Sequence, residues 1–182
     1  MITRRNLLRD GGVLAAVLLT DPRSIVVAAD DVVAIEMKSD PQGGRVNFDP
    51  IGVLVRPGQT VRWTCTSNVH TATAYHPKNG NHSLRIPEGA EPWDSKYLLP
   101  GQTFEVTLTV EGVYDYFCLP HEMAGMVGRI IVGKPGGGPG TLPFDYFRSG
   151  PSKHGWRSVP KIAQDAFPGI ADIMKTGRVT RK

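Results

Sequence analysis

The sequence predicts an all-β sandwich that carries a mostly irregular C-terminal extension. Short apolar or alternating runs recur through residues 32–132, and turn signals separate them at regular intervals. Glycine (21) and proline (15) are both abundant, which favours many turns and short strands. No convincing helical pattern occupies that region. The 182 residues suffice for one compact domain with length to spare, but not for two or three sandwiches of ordinary size.

Residues 1–29 read as an export signal. Thr3-Arg4-Arg5-Asn6-Leu7-Leu8-Arg9 has the form of a twin-arginine signal. The apolar run from Gly11 to Leu19 is well short of the roughly 20 residues a membrane span needs. Val27-Ala28-Ala29 offers small residues for cleavage, so the mature chain is expected to begin near Asp30 and to be periplasmic or otherwise exported.

Along the mature chain, residues 32–37 are β-branched and apolar and read as the first strand. Residues 51–55 form a second apolar run, closed by the turn Arg56-Pro57-Gly58-Gln59. From Thr60 to Thr66 the chain alternates, with Val61, Trp63 and Cys65 on one face and Thr60, Arg62 and Thr64 on the other. Residues 69–75 are a further candidate strand, and 76–96 read as a long loop containing the turn Lys78-Asn79-Gly80-Asn81. Leu99-Pro100-Gly101-Gln102 repeats the Pro-Gly turn, and Phe104, Val106, Leu108 and Val110 line one face of the next strand. Strands over 113–118 and 127–132 complete the set. These readings place the folded domain at 30–133, a Gly/Pro-rich linker at 134–143 and an extension at 144–182. The extension holds Phe144, Tyr146, Phe147 and Trp156, too many rings for plain disorder, and its 162–175 stretch has room for a short helix interrupted at Pro168-Gly169. Removal of residues 137–182 is expected to leave the functional site of the domain intact.

Charge is unevenly spread. Residues 30–132 carry a net −4 and residues 133–182 a net +6, so the basic character belongs to the ends. No basic helix or aromatic–basic interleaving accompanies it, which argues against a nucleic-acid partner. A basic tail that folds onto its own acidic domain, or meets an anionic partner, fits better.

The chemistry concentrates in Tyr116-Phe117-Cys118-Leu119-Pro120-His121-Glu122-Met123-Ala124-Gly125-Met126-Val127-Gly128. A strand delivers Cys118, Pro120 helps turn the chain, and Met126 opens the next strand. One tight loop thereby aims a thiolate, an imidazole and a thioether at one point. A second imidazole must come from elsewhere, and His70 at the end of the Trp63–Cys65 strand region is the candidate. Two imidazoles, one thiolate and a weak thioether are the blue-copper donor set. Met123 is a rival to Met126, and the loop residues His76 and His82 are rivals to His70. His154 in the tail is assigned nothing, Cys65 reads as a buried core thiol, and Glu122 reads as a surface charge, with tuning of the site or contact with a partner as the alternative.

At these residues the chain resembles the cupredoxin family, in particular its plastocyanin and pseudoazurin branch. The likeness rests on Cys118-x-x-His121-x-x-x-x-Met126 between two strands and on His70 in Asn68-Val69-His70-Thr71; it covers roughly residues 31–133. The resemblance implies a Greek-key sandwich of eight strands with one type 1 copper near one end, His121 close to the surface as the electron exit, and a backbone amide near Thr71 on the thiolate. Most members carry Asn where this chain has Thr71.

Enzymatic patterns are missing from the sequence. His121-Glu122 begins the H-E-x-x-H zinc motif, but Gly125 stands where its second His belongs. Copper enzymes of related type place a His directly beside the blue-copper Cys, whereas Cys118 has Phe117 and Leu119. The glycine run at 136–140 lacks the Lys-Ser/Thr of a phosphate loop. The expectation is therefore a one-electron carrier that meets redox partner proteins, with copper delivery or buffering as the alternative.

Overall fold

A computed structural model describes residues 32–149 and 153–181. The export signal expected at 1–29 lies outside the described residues. Among the described residues nine strands form two sheets: β1 (Val32–Ser39), β2 (Val46–Asp49), β3 (Gly52–Val55), β4 (Gln59–Cys65), β5 (Thr73–Ala74), β6 (Thr103–Leu108), β7 (Gly112–Phe117), β8 (Val127–Val132) and β9 (Arg178–Val179). One sheet has the order β2-β1-β4-β6 and the other β5-β7-β8-β3-β9. The β1–β4 and β3–β8 pairs are parallel, and the remaining neighbours are antiparallel. Parallel neighbours cannot be joined by a tight hairpin, so the chain passes repeatedly from one sheet to the other. The result is the expected all-β sandwich.

Alternation explains which sides face inward. Val61, Trp63 and Cys65 of β4 are fully buried, while Arg62 points to solvent and pairs with Glu105 across the β4–β6 ladder. Trp63 lies at the middle of the core, 5.4 Å edge-on from the Tyr116 ring and 5.7 Å from Trp93. Tyr116 sits opposite Gly128 in the β7–β8 ladder, and a Cβ at Gly128 would run into its ring. β7 and β8 are buried along their whole length because the extension covers their outer face.

The cover belongs to the extension, which folds onto its own domain. Two short helices, α1 (Lys161–Ala166) and α2 (Ile170–Thr176), flank the Pro168-Gly169 interruption, and β9 then pairs with β3 as an edge strand. Val159 and Ala163, with Phe144 and Phe167, pack on Tyr75, Phe117 and Val127. Ile173 packs on Val113 and Ile131. In the 134–143 stretch, expected as a linker, Pro139 and Gly140 are buried, and Gly140 lies so close to Val113 that a Cβ there would meet its carbonyl oxygen at 2.5 Å.

Two buried arginines of the sandwich stitch the extension down. Arg85 holds Asp115 through Nε at 3.1 Å and donates to the carbonyls of Leu142 (2.7 Å) and Gly140 (2.8 Å). Arg129 donates to both Asp115 oxygens (2.7 and 3.1 Å) and to the Pro168 carbonyl (2.9 Å). Their guanidinium planes also lie over the Phe144 and Phe167 rings, at 4.3 and 4.9 Å. The extension thus folds onto the domain through its own rings and backbone carbonyls, which the domain's two arginines hold.

Candidate metal centre

β7 ends at Phe117 and delivers Cys118 into the turn before β8. Pro120 starts a 3-10 helical turn over Leu119–Ala124, and Gly125 closes it in the left-handed conformation (φ 74°) that favours glycine. The backbone stitches this loop shut: His121 N donates to Cys118 O (3.0 Å), Met126 N to His121 O (3.1 Å) and Cys118 N to Met126 O (3.0 Å). Cys118, His121 and Met126 are thereby brought to one end of the sandwich. His70 arrives from the chain after β4, where its backbone exchanges two hydrogen bonds with Leu98 (3.2 and 2.8 Å).

The donor atoms of His70, Cys118 and His121 all lie within 4.8 Å of one another. Cys118 Sγ is 3.6 Å from His70 Nδ1 and 3.4 Å from His121 Nδ1. Two donors that share one small cation through bonds of about 2.0–2.3 Å at a near-tetrahedral angle stand about 3.5 Å apart. The spacing therefore fits one transition-metal ion, and a thiol with two imidazoles fits copper. Met126 is fully buried in the same core cluster as Cys118, whereas its rival Met123 is 71 % exposed. The two rivals to His70 stand apart from this convergence: His76 Nδ1 accepts the Lys78 backbone N–H at 3.0 Å, and His82 is buried against Phe117 and Tyr75. His154 stacks on Trp156 at 3.9 Å.

Burial sets the protonation of the metal-free groups. It lowers His70 to about 4, helped by repulsion from His121, so its imidazole is neutral with a lone pair free. It pushes the Cys118 thiol up to about 11, against partial relief from the Thr71 N–H. Metal binding at this thiol must release a proton.

The surrounding contacts were less visible in the sequence. Thr71 N donates to Cys118 Sγ at 3.3 Å, as the family resemblance implied, and Thr71 Oγ1 accepts the Leu119 N–H at 2.8 Å. The hydroxyl therefore ties the segment that carries His70 to the one that carries Cys118. Ser39 Oγ is 3.2 Å from His70 Nε2, a partner that no local sequence signal announced. Glu122, expected as a surface charge, is only 6 % exposed, and its Oε1 accepts the Tyr75 hydroxyl at 2.6 Å. The correction comes from a donor 47 residues away in sequence, which makes the burial tolerable. Burial still pushes the Glu122 carboxyl above its usual range, opposed by the Tyr75 bond and the Arg157 charge. His82 Nδ1 lies 3.7 Å from Glu122 Oε1, but burial lowers His82 to about 4, so this is no ion pair at neutral pH.

Comparison with known proteins converges on the same region. Residues 35–133 match the family described as copper binding proteins, plastocyanin/azurin family. Pseudoazurin of Methylorubrum extorquens is 31 % identical over 123 residues, covering 66 % of this chain and 75 % of that protein. The chloroplastic plastocyanin of Chlamydomonas reinhardtii is 33 % identical over 113 residues, covering 60 % of this chain and 72 % of that protein. Among solved structures, pseudoazurin from Methylobacterium extorquens AM1 superimposes with a TM-score of 0.53 at 26 % identity, covering 74 % of this chain and 91 % of the other.

Proposed function

The chain belongs to the plastocyanin/azurin family of copper-binding proteins, and from that premise we propose that it is an exported one-electron carrier in which His70, Cys118, His121 and Met126 hold a single type 1 copper. The observation that carries this reading is the convergence of one thiol and two imidazoles within 4.8 Å of one another. Copper held there supplies a couple between Cu(I), which favours soft donors, and Cu(II), which favours tetragonal N and O donors. The residues around it hold one arrangement for both states. Thr71 fixes the sulfur and the loop, and Ser39 accepts the Nε2 proton that His70 carries when its Nδ1 faces a metal. Three of the four proposed donors, His70, Cys118 and Met126, are buried, which excludes water and suits a cycling centre better than one that hands its ion on.

His121 is half-buried, and its loop presents Leu119 and Met123 to solvent. An exposed apolar rim beside a partly exposed imidazole suits brief contact with redox partner proteins. Residues 1–29 support export to the periplasm. Among the described residues no helix is long and apolar enough to cross a membrane. The test is voltammetry of the copper-loaded protein, followed by stopped-flow exchange with a soluble redox protein. A reversible one-electron couple is expected, and Met123→Glu should slow the exchange several-fold without moving the potential. An irreversible or absent couple would overturn the carrier reading.

A further inference from the structure

Resting on the copper reading above, we propose that the C-terminal extension is a positioning element of the metal centre, acting on the ligand loop through Glu122 and Gly125. Three of the four proposed ligands come from one short loop, so whatever holds that loop from behind helps to place all three. The outer side of the loop is open, with Leu119 and Met123 exposed. Its inner side is braced at every turn.

Glu122 is directed inward from the residue after His121, and the Tyr75 hydroxyl pins it at 2.6 Å. Tyr75 is in turn held by rings and by the extension: it packs on Phe117 at 4.4 Å and on Phe167 at 6.1 Å, in the cluster that contains Val159 and Ala163. His82 fills the remaining side, 4.5 Å from the Phe117 ring, and the extension seals that side through the pairing of Arg157 with residues 81–83. Gly125 is the second point of support. α1 packs against the 119–124 turn, and a Cβ at Gly125 would meet Ala166 Cβ at 3.3 Å and the Ile162 carbonyl at 3.4 Å. Arg181, near the end of the chain, donates to the Gly125 carbonyl at 3.3 Å. Phe117, the residue before Cys118, lies under the same cover. The extension therefore touches the ligand loop at Gly125 and backs Phe117 just before it, without contributing a ligand.

A residue that only adds stability would raise the cost of global unfolding and leave the loop's own opening unchanged. A brace restrains local opening. The experiment uses the full mature chain with Tyr75→Phe, Glu122→Ala, Glu122→Gln and Val159→Ala. In the metal-free protein, amide exchange at Gly125 and Met126 should quicken about tenfold in Tyr75→Phe and Glu122→Ala, the effect of losing one buried hydrogen bond. Val159→Ala should act in the same direction. Glu122→Gln should restore wild-type exchange, because its amide oxygen still accepts the tyrosine proton. Exchange at Trp63 in the core serves as the global reference. In the copper-loaded protein, Tyr75→Phe, Glu122→Ala and Val159→Ala should shift the reduction potential and the copper hyperfine splitting. Loop exchange that is unchanged, or that rises only in step with Trp63, would overturn the brace. Should the wild-type chain give no blue-copper spectrum, the copper reading falls, and exchange in the metal-free protein still decides for or against the brace.

Discussion

Asp115→Asn is expected to cost about 3–5 kcal/mol of stability, the usual penalty for removing one partner of a buried ion pair. Asp115 is fully buried and is gripped by two buried guanidiniums, Arg85 at 3.0 Å and Arg129 at 2.7 Å. Without its charge, two cations remain in the interior with one neutral acceptor. For a chain of this length the loss corresponds to a fall of roughly 10 °C in melting temperature. The extension should loosen first, because the same two arginines hold the carbonyls of Gly140, Leu142 and Pro168. Urea denaturation measures the global loss, and limited proteolysis reads the loosening. The contrasting variant is Arg62→Met, which breaks the exposed pair with Glu105 and should cost under about 1 kcal/mol. Equal effects from the two variants would mean that burial does not set the weight of these ion pairs.

Cys118→Ser is expected to lower copper affinity by more than about 100-fold, beyond the 10–100-fold that loss of an outer-sphere partner typically costs. A serine hydroxyl does not ionise near neutral pH and offers a hard oxygen in place of a soft thiolate. The fold should survive. Burial pushes the Cys118 thiol up to about 11, so the metal-free protein holds a neutral thiol at neutral pH and the exchange removes no charge. Competition against a copper chelator measures the affinity, with circular dichroism as the check on folding. An affinity within tenfold of wild type would mean that the sulfur is not a ligand.

Legibility in the sequence followed locality. β4 and β6 could be read because half-burial imposes a period of two, and Val61, Trp63 and Cys65 fall on the inner face as expected. The loop from Cys118 to Met126 stood out as a candidate because its thiol, imidazole and thioether lie within nine consecutive residues between two strand patterns. The interruption between α1 and α2 was marked by Pro168-Gly169. What escaped depends on distant partners. β2 has only Val46 and Phe48 as apolar residues and exists through its ladder with β1. The candidate strand at 69–75 shrinks to Thr73–Ala74, since its preceding residues bond to the 94–98 loop instead of to a neighbouring strand. β9 has two residues and pairs with β3, more than a hundred positions earlier. Glu122 and Ser39 belong to this second kind: each acquires its significance from a side chain on another segment, Tyr75 for one and His70 for the other.

The most direct test of the account is to load residues 30–182 with Cu(II) and record their visible and electron-paramagnetic-resonance spectra. One copper per chain, an intense thiolate-to-copper band and narrow copper hyperfine splitting are the predicted result. A weak visible band with the wide splitting of ordinary Cu(II) would contradict the proposed site at His70, Cys118, His121 and Met126.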